Sequence, residues 1–572
     1  MFTATKFQLA TYLLGVCPFS IAFLVFLNSA ISFVITDLIG RDHGVGDAVG
    51  SLGFADELVA LVACPVWGVL SDYIGLRFVC VSGYLIISLA LALFVQAHNV
   101  YPQLLLARLL FSLGGAAAST MVTAILPAVA ANTSEKTSCR GPSSAVRTGA
   151  GNGHVSSPSI ASEVTITPAT FMSRAQNTEI SAKDVEIDSD VSQSTSKIAG
   201  FVGMFTGCGA LIALTVFLPL PARFQYAGVG EKDALKYSFY IVAAVALILA
   251  VWCFFGLRRL QEQRQDSQPK FAQHETALSA TLGYMRHICD NFVTALSIGF
   301  KNSNIALGYL GGFVARASSV GISLFIPLLV NAMFISSGLC DGKSSDGDPA
   351  GLPDIKKSCP RAYVVAAELT GVAEMLALIF APIFGYWTAK TSRKEIPLLC
   401  SSIAGIFGYP LFAIQFDPDD DNGGRRVAAF LAVALIGVSQ IGAIVCSLGT
   451  LSTAILRKAP NQSIASDAIA SNNDLATTES EPLLERSRQP PNDIVLSTLK
   501  GSVAGVYSFY GGAAILILTK VGGVLFDKVS LAGPFYIMAA FNAILMFACT
   551  ALYITNTRSE SRGVIRAPGN AS

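Results

Sequence analysis

Two glutamates, Glu57 and Glu374, lie inside long apolar stretches of the sequence, where an ionisable side chain is costly to place. A carboxyl group in apolar surroundings holds its proton, and releases it when water or an arginine comes close. The chemistry that these residues suggest is therefore proton carriage. The sequence leaves a structural alternative open, in which each glutamate pairs with Arg108 or Arg316 and only holds helices together.

The two glutamates belong to an internal repeat. In both copies a proline and a glycine follow the glutamate, and one offset of 317 residues superposes Glu57, Pro65 and Gly68 on Glu374, Pro382 and Gly385. The 11 residues from glutamate to glycine measure about 16 Å of helix, at about 1.5 Å per residue. In a hydrocarbon core about 30 Å thick this depth is near the midplane, so we expect the two glutamates to face each other across a pseudo-two-fold axis.

The composition excludes a soluble protein, because 52% of the 572 residues are hydrophobic and only 13% are charged. A net charge of +1 gives no support for a nucleic-acid partner. Period-2 alternation is absent, which excludes a membrane β-barrel. The predicted fold is an all-α membrane protein with twelve transmembrane helices in two pseudo-symmetric six-helix bundles. The twelve apolar segments, here called spans one to twelve, are 15–38, 50–70, 78–97, 102–130, 199–219, 237–256, 304–335, 363–388, 396–415, 427–455, 499–526 and 532–554.

These spans divide the chain into two bundles, a central linker and a tail. Lys and Arg are most frequent in the segments that would then be cytoplasmic, which indicates that both termini are inside. Two long cytoplasmic loops are rich in Ser, Thr, Asn and Ala and are predicted to be disordered. The predicted parts are the N-terminal bundle 1–256 with loop 131–198, the linker 257–303, the C-terminal bundle 304–554 with loop 456–498, and the tail 555–572.

Three more ionisable residues join the two glutamates in the predicted proton-coupling or substrate cavity. Asp56 is about 100° around the helix from Glu57, so we expect it to face span four or span one. Arg108 and Arg316 lie in spans four and seven. Arg316 either binds an anionic group of the substrate or pairs with a carboxylate, and the sequence slightly favours the carboxylate.

The turn between spans two and three, Gly68-Val-Leu-Ser-Asp72-Tyr-Ile-Gly75-Leu-Arg77, resembles a loop signature of the major facilitator superfamily. The resemblance implies alternating access by rocking of two bundles. It also implies a cytoplasmic gate of Gly68, Asp72, Gly75 and Arg77, in which Asp72 and Arg77 act as a charge lock. The alternative is that Asp72 and Arg77 are two solvated loop charges.

The resemblance extends to span four, where Arg108-Leu-Leu-Phe-Ser-Leu-Gly114-Gly115 is similar to the fourth-helix motif of the superfamily. Within the superfamily the chain is most similar to fungal multidrug and metabolite facilitators. The second copy of the repeat departs from the loop signature, because Ala389 stands where the aspartate belongs.

The predicted function is proton-coupled secondary active transport of a small organic solute, with protons, the solute and the lipid bilayer as partners. No enzyme activity, cofactor or metal is expected, because the 12 cysteines lack metal-ligand spacing and no phosphate-binding glycine loop occurs. The alternative is a non-transporting membrane sensor or scaffold that keeps the transporter fold. The paired glutamates favour transport, whereas Ala389 favours the alternative.

Two features of the loops bear on location. Glu479, Leu483 and Leu484 resemble an acidic dileucine sorting signal, which favours the vacuolar membrane over the plasma membrane and implies a sorting adaptor as a partner. Cys340 and Cys359 are both predicted to lie outside the cytoplasm, where they could form a disulfide or remain free thiols.

Overall fold

A computed structural model describes residues 6–40, 45–138, 192–258, 277–339, 360–391, 393–418, 424–456 and 499–565 of the chain. Across these residues the regular structure is helical and no strand occurs. Within these described ranges, twelve helices are long and apolar enough to cross a membrane, which confirms the predicted fold class. Spans one to twelve are Lys6–Ile31, Ala48–Ile74, Leu76–Phe94, Val100–Ala130, Ser192–Tyr226, Glu231–Gly256, Ser303–Ser336, Val364–Lys390, Glu395–Gln415, Gly424–Leu456, Lys500–Lys528 and Gly533–Arg558.

The two bundles pack in corresponding ways. Span three packs against spans four and six, and its counterpart, span nine, packs against spans ten and twelve. Buried aromatic rings lie inside each bundle: the centroids of Phe26 and Phe239 are 5.0 Å apart, and those of Phe412 and Phe535 are 5.4 Å apart. Lipid tails are as apolar as these rings, so close packing rather than removal from water holds the helices together.

A single non-helical residue, Gly75, separates span two from span three. Its φ of +96° lies in the region where an L side chain is strained, so glycine is required for this reversal. The turn is therefore short, and it holds Asp72 and Arg77 at the ends of two rigid helices.

The bundles touch each other at two equivalent helix crossings, near the end of the molecule that carries the loops 131–198 and 456–498. This end is predicted to be cytoplasmic and is called the cytoplasmic end. A Cβ atom on Gly68 of span two would lie 2.5 Å from the carbonyl oxygen of Gly501 of span eleven. A Cβ atom on Gly385 of span eight would lie 2.5 Å from Cα of Gly200 of span five. The two glycines of the repeat thus allow two close backbone contacts between the bundles, which close the cytoplasmic end.

The linker contains a helix, Ala277–Lys301, that packs against spans two, seven and eleven. Asn291 Nδ2 donates a hydrogen bond to the Tyr73 hydroxyl of the N-terminal bundle at 2.8 Å. The Tyr309 hydroxyl of the C-terminal bundle donates to the carbonyl oxygen of Ala295 at 3.2 Å. The linker helix therefore bridges both bundles at the cytoplasmic end.

Several helices extend beyond the predicted boundaries. The helix of span four continues to Ser138, and span five begins at Ser192, so the prediction that 131–198 is disordered is wrong at both of its ends. The last helix, Gly533–Ile565, likewise continues into the predicted tail. Adding a residue to an existing helix needs no new nucleation, so polar sequence can continue an apolar helix. Residues 139–191 and 457–498 lie outside the described part of the chain.

Candidate functional site

The first element of the site is a buried ion pair between Asp56 and Arg108. The two residues are 5% and 3% exposed, and Arg108 Nη2 contacts Asp56 Oδ2. The same nitrogen donates to Asn28 Oδ1 of span one at 2.7 Å, and Ser112 Oγ donates to the backbone oxygen of Asp56 at 2.7 Å. Asp56 thus joins spans one, two and four, on the side that the helical period predicts.

Glu57 is half-buried and lies next in sequence, but it makes no contact with this ion pair. Its carboxyl interacts electrostatically with Asp56, Arg316 and Arg108. Among the described residues it has no hydrogen bond or ion-pair partner within 4.0 Å. Arg108 is in the N-terminal bundle and Arg316 in the C-terminal bundle, so Glu57 lies in the field of a cation from each.

Arg316 is also half-buried, and its stem packs against span eleven. A Cβ atom on Gly511 would lie 2.7 Å from Arg316 Cγ, so this glycine makes room for the arginine. Tyr507, one helical turn before Gly511 on span eleven, interacts electrostatically with the Arg316 guanidinium. Within the described ranges Arg316 forms no hydrogen bond and no ion pair. The sequence favoured a carboxylate partner for Arg316. Glu57 interacts with Arg316 electrostatically but does not contact it.

Arg108 has spare hydrogen-bonding capacity. Its Nη2 serves both Asp56 and Asn28, whereas its Nε and Nη1 atoms are buried and have no acceptor among the described residues. Buried donors of a guanidinium are usually paired, so two without acceptors indicate that the site is incomplete as it stands. Asp56, Glu57, Arg108 and Arg316 are here called the central charge cluster.

Glu374 does not belong to the central charge cluster. It is exposed, and it interacts with Gln440 of span ten and Tyr409 of span nine, both in the C-terminal bundle. Gln440 Nε2 donates to Ser319 Oγ at 3.1 Å, while its Oε1 atom is buried without a donor in the described part of the chain. No recorded hydrogen bond or electrostatic interaction joins Glu374 to Glu57, so the structure places the two glutamates in different polar groups.

The second element of the site is at the cytoplasmic end, where Asp72 caps a helix of the opposite bundle. One carboxylate oxygen accepts from the backbone amide of Gly501 at 2.8 Å. The other accepts from the backbone amide and the hydroxyl of Ser502, at 2.7 and 2.6 Å. Gly501 and Ser502 lie in the first turn of the helix Lys500–Ile517, where free amides and the helix dipole both favour an anion. We call Asp72, Gly501 and Ser502 the latch.

A family model described as Major Facilitator Superfamily matches residues 19–138 and 192–474 of this sequence. The chain belongs to the major facilitator superfamily. A comparison with curated proteins found no match. Among solved structures, the proton:xylose symporter XylE is similar to this chain with a TM-score of 0.52 and 11% identity, over 95% of this chain and 94% of its own. The human organic anion transporter MFSD10 gives a TM-score of 0.51 and 11% identity, over 95% and 99% of the two chains. At this identity the likeness shows the transporter fold alone.

Within this major facilitator fold, Arg77 takes a different position from the one the resemblance implied. Its guanidinium lies 3.9 Å from the ring centroid of Phe254 on span six, in the same bundle. It has no hydrogen-bond or ion-pair partner among the described residues, and its Nε atom is buried without an acceptor. Arg77 therefore braces the turn against its own bundle, and the bonds that cross to the other bundle come from Asp72.

The second copy of the superfamily's loop motif uses different chemistry at equivalent positions. Ala389 corresponds to Asp72, and Lys394 corresponds to Arg77, at the same offset of 317. Lys394 Nζ donates to Thr453 Oγ1 at 2.9 Å in its own bundle and to Ser196 Oγ of span five at 3.3 Å. The two crossings are thus geometrically equivalent but chemically unlike: an anion bonds across one of them, and a cation across the other.

Some predicted site residues lie outside the part of the chain that the structure describes. These are the sorting residues Glu479, Leu483 and Leu484 and the cysteines Cys340 and Cys359. Conversely, sequence reasoning missed Asn28, Gly501 and Ser502. The serine after Lys500-Gly501 at the start of span eleven was the one available signal, since serine is frequent at helix N-termini. Among the described residues no group of His, Cys, Asp or Glu is arranged to hold a metal ion.

Proposed function

We propose that this protein is a proton-coupled secondary active transporter that moves a small organic solute by alternating access. The observation that carries the proposal is the position of Glu57, half-buried between the bundles in the field of Arg108 and Arg316. When its carboxyl binds or releases a proton, the charge balance between the two bundles changes. A proton can therefore bias the equilibrium between two arrangements of the bundles, which is what coupling requires.

The latch gives this cycle a barrier at the cytoplasmic end. Opening requires the Asp72 carboxylate to leave Gly501 and Ser502, and each hydrogen bond to a charged group contributes about 1.5–3 kcal/mol. Binding of solute and proton at the central charge cluster must therefore favour the open arrangement by a free energy comparable to that of the latch bonds. Asp72 thus acts on the rate of opening, at a distance from the place where solute and proton bind.

Glu374 is the second proposed proton site. The side chain of Gln440 interacts with the Glu374 carboxyl, which only accepts hydrogen bonds when ionised and can donate one when protonated. The protonation state of Glu374 thus changes how spans eight and ten interact. This residue couples protons to the C-terminal bundle, as Glu57 does at the boundary.

The narrower features of the proposal rest on sequence. The vacuolar membrane is the proposed location, since Glu479, Leu483 and Leu484 match an acidic dileucine signal for a sorting adaptor. The proposed resemblance to fungal multidrug and metabolite facilitators rests on the same loop and span-four motifs. Cys340 and Cys359 are the proposed pair for a disulfide in an oxidising compartment.

The alternative function, a sensor or scaffold that transports nothing, is favoured by one observation. Ala389 removes the carboxylate from the second copy of the loop motif, so one of two gate positions has lost its charge. Lys394, which corresponds to Arg77, still bonds to Ser196 of the other bundle at the same helix crossing, which is why we place transport first.

The test is uptake of radiolabelled solutes into proteoliposomes, with and without an imposed pH gradient, for wild type and Glu57→Gln. We expect at least one solute to accumulate only with the gradient, and Glu57→Gln to abolish the accumulation. Glu368→Gln is the matched control, because Glu368 is also an intramembrane glutamate but is 49% exposed and lies 3.9 Å from Arg426, away from the cluster. Folded wild type that moves no solute with any gradient would favour the sensor or scaffold.

A further inference from the structure

Arg316 is a cation that reaches the boundary between the bundles without a group to neutralise it by contact. Its aliphatic stem packs against Gly511, where the absence of a side chain makes room for it. Its guanidinium has no hydrogen-bond or ion-pair partner in the described ranges. A guanidinium in this position binds best a planar anion with two oxygens, since the two groups form parallel hydrogen bonds. The buried Nε and Nη1 atoms of Arg108 add two more donors without acceptors in the same cluster.

The net charge of the central charge cluster depends on whether Glu57 is protonated and on whether an anion is bound. Asp56 and Arg108 neutralise each other by contact, which leaves Glu57 opposite Arg316. With Glu57 ionised and no substrate, the cluster is neutral. With Glu57 protonated, it carries one positive charge, which one bound anion cancels. States with a net charge are disfavoured inside a membrane protein, so the empty ionised cluster and the cluster with one proton and one anion are the two favoured states.

We propose that the substrate is a small organic monoanion with a carboxylate group, which binds to Arg316 and crosses together with one proton carried by Glu57. This inference rests on the proposed transport function and names its substrate class. The carboxylate and the ionised Glu57 compete for the same cation, so substrate binds when Glu57 is protonated. Exchange of the two favoured states moves no net charge across the membrane.

The other groups around Glu57 do not disturb this balance. Cys64 on the same helix and Tyr507 on span eleven interact electrostatically with the cluster, and a thiol and a phenol are neutral near pH 7. Lys520 Nζ lies 4.0 Å from the ring centroid of Phe54, about one helical turn from Glu57 along span two, and it is not among the groups that interact electrostatically with Glu57.

The first experiment measures binding. Thermal stabilisation of the purified protein by lactate, pyruvate and gluconate is recorded at acidic and alkaline pH, with glucose and choline as neutral and cationic probes. In wild type we expect the three carboxylates to stabilise at acidic pH and at least tenfold less effectively at alkaline pH. In Glu57→Gln, which mimics the protonated residue, we expect equal stabilisation at both pH values. In Arg316→Gln stabilisation is lost, and Glu368→Gln behaves like wild type.

The second experiment measures charge movement in proteoliposomes. Uptake of radiolabelled lactate, pyruvate or gluconate should follow an inwardly directed proton gradient and should not change when a potassium gradient with valinomycin sets the membrane potential. Glu57→Gln should lose the accumulation but retain exchange of labelled for unlabelled anion. Voltage-dependent uptake, or a Glu57→Gln variant whose binding keeps the pH dependence of wild type, would overturn the inference.

The outcomes separate this inference from the transport function itself. If the protein moves glucose or choline with a proton gradient, and the carboxylates neither move nor compete, the substrate class is wrong and proton-coupled transport stands. If folded wild type moves no probe, transport fails and the inference fails with it. If Arg316→Gln does not fold, Arg316→Lys replaces it, and we expect weaker binding because a lysine cannot form two parallel hydrogen bonds.

Discussion

Ser502 donates two hydrogen bonds to the Asp72 carboxylate across the boundary between the bundles, from its backbone amide at 2.7 Å and its hydroxyl at 2.6 Å. Asp72 is 9% exposed, and the two residues are separated by 430 positions in the chain. A helix N-terminus thus receives its capping carboxylate from another bundle, so any separation of the two bundles at this end would break the cap.

Asp72→Asn is expected to shift the resting population towards an arrangement that is open at the cytoplasmic end. An asparagine removes the charge and leaves only one oxygen to accept hydrogen bonds, which weakens the latch by about 1.5–3 kcal/mol. An equilibrium shift of about tenfold or more follows. The measurement is thiol labelling of Ser71→Cys, since Ser71 is 3% exposed in the closed arrangement.

The matched control for this experiment is Asp527→Asn, because Asp527 is an exposed aspartate at the other end of span eleven. It removes the same charge from the protein without touching the latch. Equal labelling of Ser71→Cys in the wild-type, Asp72→Asn and Asp527→Asn backgrounds would show that Asp72 does not hold the cytoplasmic end closed.

Gly68→Ala and Gly385→Ala are expected to have the same effect as each other, because the two glycines occupy equivalent crossings. An added Cβ atom at either would lie 2.5 Å from backbone atoms of the other bundle, so the helices must separate. We expect transport to fall at least tenfold and labelling of the cytoplasmic end to rise in both variants. Gly53→Ala is the control, since nothing lies within 4 Å of that added atom. A normal transport rate in either crossing variant would contradict the role of these contacts.

Removing one partner of the Asp56 and Arg108 pair is expected to destabilise the fold more than removing both. Asp56→Asn or Arg108→Gln leaves one buried charge uncompensated, which typically costs about 3–5 kcal/mol. Thermal unfolding in detergent measures the effect, with the double variant completing the cycle. Arg425→Gln is the control, because its bond to Asp417 joins side chains that are 61% and 34% exposed and contributes little. Additive effects of the two core substitutions would argue against a coupled pair.

Replacing Leu483 and Leu484 by alanine is expected to move the protein from the vacuolar membrane to the cell surface. In the sequence both leucines lie between the apolar segments of spans ten and eleven, so the fold and the transport activity of the purified protein should be unchanged. Fluorescence microscopy of a tagged protein provides the measurement. If the double variant stays on the vacuole, the signal lies elsewhere, and if wild type is already at the surface, the match of Glu479 to Leu484 arose by chance.

The twelve spans were predictable because each is a long apolar run, and the prediction of 50–70 for span two compares with Ala48–Ile74 in the structure. The central charge cluster was predictable only in part. Sequence identifies Glu57 and Asp56 as ionisable residues at one depth, but which of them meets Arg108 depends on how the helices rotate about their axes. Glu374 shows the same limit, since the sequence does not indicate its interactions with Gln440 and Tyr409 of its own bundle.

The latch shows a different limit. Asp72 was recognisable from its motif, but its partners lie on a helix of the other bundle, and no periodicity or spacing links Asp72 to Ser502. For Arg77, the motif suggested a charge lock together with Asp72. In the structure its guanidinium packs on the ring of Phe254 in its own bundle instead. Contacts between distant segments depend on packing that a single sequence does not encode locally.

The linker helix Ala277–Lys301 changes how quickly the cytoplasmic end can close again. It is tied to the N-terminal bundle through Asn291 and Tyr73 and to the C-terminal bundle through Tyr309 and Ala295. A short tether between two binding partners raises their effective concentration. In the proposed transport cycle, Asp72 would therefore meet Gly501 and Ser502 again without a diffusional search, so individually modest bonds would suffice for repeated closure.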